Sequence, residues 1–140
     1  MTQYSQHIAL WACPRSRSKA LTRAFEQLDG CDIYDEPLAG AYLLIEGQKQ
    51  NPPISKAEIP KCLERDHKKV IEKMTGAIPN GSTFLFYKNL SQYVLPKFGI
   101  EWIKKLTNVF LIRHLKETIF SYWKTSKKIN NRGSGLDTTL

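Results

Sequence analysis

The sequence predicts an α/β fold of three layers, in which a parallel sheet of about four strands is flanked by helices. Short apolar runs recur along the chain with helical patterns between them, and this alternation builds parallel sheets that are covered on both faces. Polar and basic residues follow each apolar run directly. Because the carboxyl ends of parallel strands meet at one edge of a sheet, these residues are expected to converge on one ligand site.

The first strand is predicted over residues 8–12, an apolar run that ends in a basic turn at 13–17. A helix follows, with apolar residues at the i, i+3, i+4 and i+7 positions of one face. Ser16 or Ser18 is expected to cap this helix and Gly30 to end it. A helix N-terminus attracts anions, and the arginine, lysine and hydroxyl groups gathered here favour phosphate or sulfate over carboxylate.

The second strand is predicted over 31–35 and is stopped by the Glu-Pro pair at 36–37. A partly buried helix is expected over 38–45. The segment 55–58 then has the Ser-x-x-Glu spacing of a capping box, so an amphipathic helix is predicted over 55–75.

The third strand is predicted over 83–87 and ends at Lys88 and Asn89, while the fourth is predicted over 108–112 and ends at the Arg-His pair 113–114. Two short helical pieces are expected between them, at 91–95 and 101–106.

The last helix is predicted from Leu115, with an apolar face that includes Ile119, Tyr122 and Trp123. The three tryptophans of the chain are assigned to the core rather than to stacking on a ligand. They are Trp11, Trp102 and Trp123.

Composition indicates one domain without a membrane span. The chain has 140 residues, 41% of them apolar, and residues 1–130 are assigned to the domain and 131–140 to a flexible tail. No apolar run reaches the length of a membrane-spanning helix, and no secretory signal is recognised. Three widely spaced cysteines favour reduced thiols over a disulfide framework or zinc site, so a cytoplasmic location and no metal are predicted.

The net charge of +8 arises from 21 basic and 13 acidic residues. A positive net charge of this size is typical of proteins that bind nucleic acid, an acidic membrane surface or a small polyanion. Nucleic acid is disfavoured, because the basic residues gather at strand ends and lack interleaved exposed aromatic residues.

The turn after the first strand differs from a nucleotide-hydrolysing P-loop, which reads GxxxxGK[ST]. It contains no glycine, and Lys19 is followed by Ala20, so the hydroxyl that binds Mg²⁺ is missing. Hydrolysis of ATP or GTP is therefore disfavoured.

Two motifs resemble those of the P-loop sulfotransferases, which use 3′-phosphoadenosine 5′-phosphosulfate. Residues 13–18, Cys-Pro-Arg-Ser-Arg-Ser, are similar to that family's 5′-phosphosulfate loop. The similarity is closest to the bacterial and fungal branch, in which an acidic-Glu-Pro segment follows, here 35–37. Residues 109–122 are similar to the family's 3′-phosphate site, a strand that ends in Arg113 with Ser121 on the next helix. The resemblance implies a P-loop-like version of the predicted fold.

The resemblance also implies roles in donor binding. Arg15 would contact the bridging and leaving-group oxygens of the phosphosulfate, and Ser16 and Ser18 would bind the 5′-phosphate. Arg113 and Ser121 would bind the 3′-phosphate. The complete set implied for the donor is Pro14, Arg15, Ser16, Arg17, Ser18, Lys19, Arg113 and Ser121.

The implied catalytic residues are Glu36, Lys88 and Arg15. Transfer of a sulfuryl group to a hydroxyl or amine needs a base for the acceptor and stabilisation of the leaving phosphate. Many relatives place a histidine base just after the third strand, where this chain has Lys88. Glu36 resembles the glutamate base of another branch, and Lys88 would assist at the sulfuryl oxygens.

The chain departs from the family pattern in three ways. Lys19 stands where the closest relatives carry Thr, and Leu115 replaces a common Pro. Family members are usually much longer, so the chain is expected to be truncated at its C-terminus.

Two alternative functions stay open: an inactive remnant that binds a nucleotide or polyanion, and a basic nucleic-acid-binding domain. The expected partner is a small-molecule or conjugate acceptor, and a homo-oligomer is left open.

Overall fold

The computed structural model describes residues 6–49, 54–79 and 81–133. The four strands are β1 (Gln6–Ala12), β2 (Cys31–Asp35), β3 (Phe84–Leu90) and β4 (Thr107–Leu111). The α-helices are α1 (Ser18–Phe25), α2 (Ala39–Glu46), α3 (His67–Thr75) and α4 (Leu115–Gly133). Short 3₁₀ helices span Gly47–Lys49, Ser91–Tyr93, Pro96–Phe98 and Glu101–Lys105.

The strands form one parallel sheet in the order β2-β3-β1-β4, with helices packed around it. This confirms the predicted α/β fold. The last residue of β1, Ala12, is level with Leu90 of β3 and Leu111 of β4. On the other side of β3, Asp35 is level with Lys88. The segments that follow all four strands therefore begin at the same edge of the sheet.

The main core lies on one face of the sheet, where Trp11 and Tyr87 are buried beneath α2, α3 and the 3₁₀ segments. Trp11 packs against Trp102 with ring centroids 6.1 Å apart, so the core assignment of these two tryptophans is confirmed. On the opposite face, Phe25 of α1 stacks on Phe86 at 4.2 Å.

The start of α1 differs from the prediction. Neither Ser16 nor Ser18 caps the helix, because Ser18 is already its first residue. The N-cap position is occupied by Arg17 in the left-handed conformation, without a side-chain hydrogen bond to the helix. The buried positions of α1 are Ser18 and Thr22 rather than the predicted apolar residues.

The helix predicted over 55–75 is wrong in its first half. The capping-box contact does form, since the Ser55 N–H donates to Glu58 Oε2 at 2.7 Å, but it closes an isolated turn. The helix begins only at His67, where the Asp66 side chain accepts from the N–H of Lys68. The Ser-x-x-Glu pattern satisfies local donors in a turn as well as in a helix, so it did not locate the helix start.

The apolar residues of β4 and α4 are also less covered than predicted. Ile112 is 89% exposed, and Phe110, Ile119, Phe120 and Trp123 are more than half exposed. The core assignment of Trp123 is therefore wrong. β4 forms one edge of the sheet, and within the described residues no element covers the side chains of Phe110 and Ile112.

None of the helices in the described ranges is long and apolar enough to cross a membrane. α4 extends to Gly133, and the remainder of the predicted tail, 134–140, lies outside the described residues.

Candidate functional site

The loop between β1 and α1 has an unusual backbone. Arg15 and Arg17 both have a φ of 67°, the left-handed region that side chains other than glycine rarely adopt. Ser16 lies between them with 3% exposure, and its hydroxyl has no hydrogen-bond partner among the described residues. A strained backbone and an unpaired buried hydroxyl are features that persist at functional sites.

A cavity of about 420 Å³ opens at this loop. Its lining is strongly basic and includes every residue predicted for the site except Ser16. The lining residues are Pro14, Arg15, Arg17, Ser18, Lys19, Glu36, Lys88, Leu90, Arg113 and Ser121. The structure thus brings together residues from the ends of all four strands, as the convergence argument predicted.

Arg15, Arg113 and Ser121 are joined directly. The Arg113 Nη1 donates to the backbone carbonyl of Arg15 at 2.8 Å, and the Arg15 Nε donates to the Ser121 hydroxyl at 3.1 Å. The predicted 5′-phosphosulfate loop and the predicted 3′-phosphate residues therefore form one continuous surface. Arg113 also donates through Nε to Glu117 Oε2 at 3.1 Å.

Lys88 is a buried cation within β3, with 1% of the residue exposed. Its Nζ lies 3.0 Å from Asp35 Oδ1 and forms an ion pair with Glu36 Oε1. Burial of an ammonium group is tolerated when it is paired in this way. Lys88 was predicted just beyond its strand but lies inside it.

Glu36 is held by its backbone and by its side chain. It has a φ of 52°, and its N–H donates to the carbonyl of Lys88 at 2.7 Å. Its Oε2 accepts from the Tyr93 hydroxyl at 3.4 Å. Burial, together with the charge of Glu36, raises the pKa of Tyr93 to about 12, so the phenol stays protonated and can donate.

The arrangement is suited to holding a polyanion beside a fixed carboxylate. Five cationic side chains and one carboxylate line the cavity. No group of His, Cys, Asp or Glu side chains in the described ranges has the arrangement of a metal site.

Sequence reasoning gave no role to Tyr93 or Glu117. Glu117 lies four residues after Arg113, which is the spacing of a helical ion pair and could have indicated the contact. Tyr93 carries no comparable signal, because only the fold brings it to Glu36.

Comparisons with known proteins give two matches. The family model described as "Sulfotransferase domain" matches residues 6–137. A protein of Arabidopsis thaliana named "Branched-chain-amino-acid aminotransferase-like protein 2" is 29% identical over 117 residues, which is 84% of this chain. The chain spans only 20% of that relative's length. No solved structure matches the chain.

Proposed function

The chain belongs to the sulfotransferase domain family, and from this premise we propose that it binds 3′-phosphoadenosine 5′-phosphosulfate and transfers the sulfuryl group to a hydroxyl or amine. The observation that carries the proposal is the basic cavity, which unites the loop after β1 with Arg113 and Ser121. A doubly phosphorylated donor needs several anion-binding groups, and cationic side chains from the loop after β1 and from the segment after β4 line the same cavity.

The loop after β1 supplies the first group of anion contacts. Arg15, Arg17 and Lys19 bring positive charge to the N-terminal end of α1, whose unpaired N–H groups favour an anion. The unpaired hydroxyl of Ser16 fits an additional hydrogen bond to a phosphate oxygen. These groups suit the 5′-phosphosulfate.

Arg113 and Ser121 supply the second group, for the 3′-phosphate. A guanidinium matches phosphate geometry through paired N–H donors, which an ammonium cannot reproduce. The Ser121 hydroxyl already accepts from Arg15 and can donate its own proton to a phosphate oxygen.

Transfer would form a bond between the acceptor oxygen or nitrogen and sulfur, and break the bond between sulfur and the 5′-phosphate oxygen. Glu36 is the proposed base for the acceptor proton, and it is fixed by Lys88 and Tyr93. Lys88 and Arg15 line the same cavity, and they are the cations proposed to stabilise negative charge on the sulfuryl and leaving-group oxygens.

Calorimetry with 3′-phosphoadenosine 5′-phosphate tests donor binding. We expect the wild-type chain to bind, and Arg15→Ala and Arg113→Ala to weaken binding at least about tenfold, as expected for loss of a charge-assisted contact. Arg23→Ala is the matched control, because Arg23 is an exposed arginine of α1 that pairs with Glu26 outside the cavity. Absence of binding, or equal binding by all three variants, would refute the proposal.

A binding-only function is the second candidate. The ion pair of Glu36 with Lys88 favours it, because one oxygen of the proposed base is already occupied by the ammonium group. Transfer of radiolabelled sulfate from the donor to a panel of hydroxyl and amine acceptors separates the two candidates. Turnover that Glu36→Gln abolishes supports the enzyme, whereas binding of the donor product without turnover supports the binding module.

A further inference from the structure

The contact between Arg113 and Glu117 points to a determinant of nucleotide affinity. We propose that the Glu117 carboxylate competes with the 3′-phosphate of the bound nucleotide for the Arg113 guanidinium. Glu117 would thereby keep 3′-phosphorylated nucleotides from binding too tightly. This inference rests on the proposed function, since it concerns the same site.

Two of the three guanidinium nitrogens of Arg113 are engaged. Nε donates to Glu117 Oε2 at 3.1 Å, and Nη1 donates to the carbonyl of Arg15 at 2.8 Å. A guanidinium binds phosphate most strongly when two N–H groups of one edge point at it. With Glu117 at Nε, a phosphate in the cavity meets an incomplete set of donors.

The position of Glu117 allows such competition. Arg113 lines the cavity whereas Glu117 does not, so the carboxylate holds the guanidinium from outside the cavity. Glu117 also lies in the first turn of α4, where the helix dipole stabilises its negative charge. A negative charge held at this point both neutralises Arg113 and repels an incoming phosphate.

The competition is weak enough for a nucleotide to overcome it. The Glu117 side chain is 61% exposed and that of Arg113 is 17% exposed, and ion pairs with one exposed partner contribute little to stability. A dianionic phosphate can therefore displace the carboxylate. A nucleotide with a free 3′-hydroxyl has no charge to place there, so its binding should not depend on Glu117.

The test compares dissociation constants of 3′-phosphoadenosine 5′-phosphate and adenosine 5′-phosphate by calorimetry. Glu117→Gln should tighten binding of the first nucleotide roughly three- to fivefold, in line with the strength of a partly exposed ion pair, and leave the second unchanged. Gln keeps the size and helix propensity of Glu. Glu101→Gln is the matched control, since it removes the same charge from an exposed pair with Lys104.

A double-mutant cycle assigns the effect to Arg113. In the Arg113→Ala background, Glu117→Gln should no longer improve binding of the 3′-phosphorylated nucleotide. Unchanged or weaker binding by Glu117→Gln overturns the inference, because Glu117 would then only hold Arg113 in position. An equal gain from Glu101→Gln overturns it too, because general charge would explain the effect. If the wild-type chain binds neither nucleotide, the proposed function itself fails, and that result differs from all of these.

Discussion

The guanidinium of Arg113 donates a hydrogen bond to the backbone carbonyl of Arg15 at 2.8 Å, across 98 positions of sequence. The contact is possible because β4 pairs directly with β1, so the residues that follow both strands lie side by side. Arg15 has a positive φ, and the bond from Arg113 helps to hold that backbone conformation. Arg113 therefore shapes the loop as well as contributing charge to the cavity.

Arg113→Lys should weaken binding of 3′-phosphoadenosine 5′-phosphate although it keeps the positive charge. An ammonium cannot bind the Arg15 carbonyl and present paired donors to a phosphate at the same time, so we expect a loss of about tenfold in affinity by calorimetry. Arg65→Lys is the control, because Arg65 also donates to a backbone carbonyl, that of Ile59, away from the cavity. Full affinity in Arg113→Lys would show that charge alone is sufficient.

Lys88→Met should lower the free energy of unfolding by about 2 kcal/mol. Met keeps the volume of the side chain but leaves Asp35 and Glu36 facing each other without the ammonium that pairs with both. The loss should fall short of that for a fully buried pair, because both carboxylates keep some contact with water.

Denaturant unfolding of Lys88→Met in the wild-type and Glu36→Gln backgrounds separates repulsion from packing. We expect Glu36→Gln to recover part of the loss, because it removes one of the two negative charges. If the loss is the same in both backgrounds, repulsion between the two carboxylates does not contribute to it.

The sequence predicts which residues lie together in the site better than it predicts the contacts between them. Alternation of strands and helices is enough to place Arg15 and Arg113 at the same edge of a parallel sheet, and the structure brings them together. The positive φ of Arg15, Arg17 and Glu36 could not be predicted, because none of them is a glycine. Their conformations depend on tertiary contacts, such as the Glu36 N–H donating to the carbonyl of Lys88.

The periodicity of apolar residues also predicted helices, but it did not predict where they begin or what packs against them. The spacing of Leu115, Ile119 and Trp123 predicts one face of a helix, and α4 does form there. These residues nevertheless stay exposed in the described part of the chain, because periodicity carries no information about what packs on a face. Likewise, the Ser-x-x-Glu pattern at 55–58 does form its local hydrogen bond, but in a turn, and the helix begins only at His67.

Gly40→Ala should destabilise the domain by about 2 kcal/mol, a typical effect of overpacking. A Cβ at this position of α2 would lie 2.4 Å from the carbonyl oxygen of Glu64 and 2.9 Å from the Cβ of Leu63. Ala alone would favour the helix by about 1 kcal/mol, so a net loss in chemical denaturation would show that the clash dominates. A gain in stability for Gly40→Ala would contradict this close approach.

Tyr93→Phe should reduce the fall in the free energy of unfolding that accompanies a rise to high pH. The pKa of Tyr93 is raised to about 12, mainly by burial and then by the Glu36 carboxylate, whereas the unfolded chain releases this proton near pH 10. Between these two values the unfolded state holds fewer protons than the folded state, so stability falls as pH rises from about 10 to 12. Tyr93→Phe removes this contribution, while Tyr87, whose pKa burial also raises, contributes equally to both proteins. Urea unfolding at stepwise pH should therefore give a shallower decline for Tyr93→Phe, and parallel curves would mean that the Tyr93 phenol is not held neutral beside Glu36.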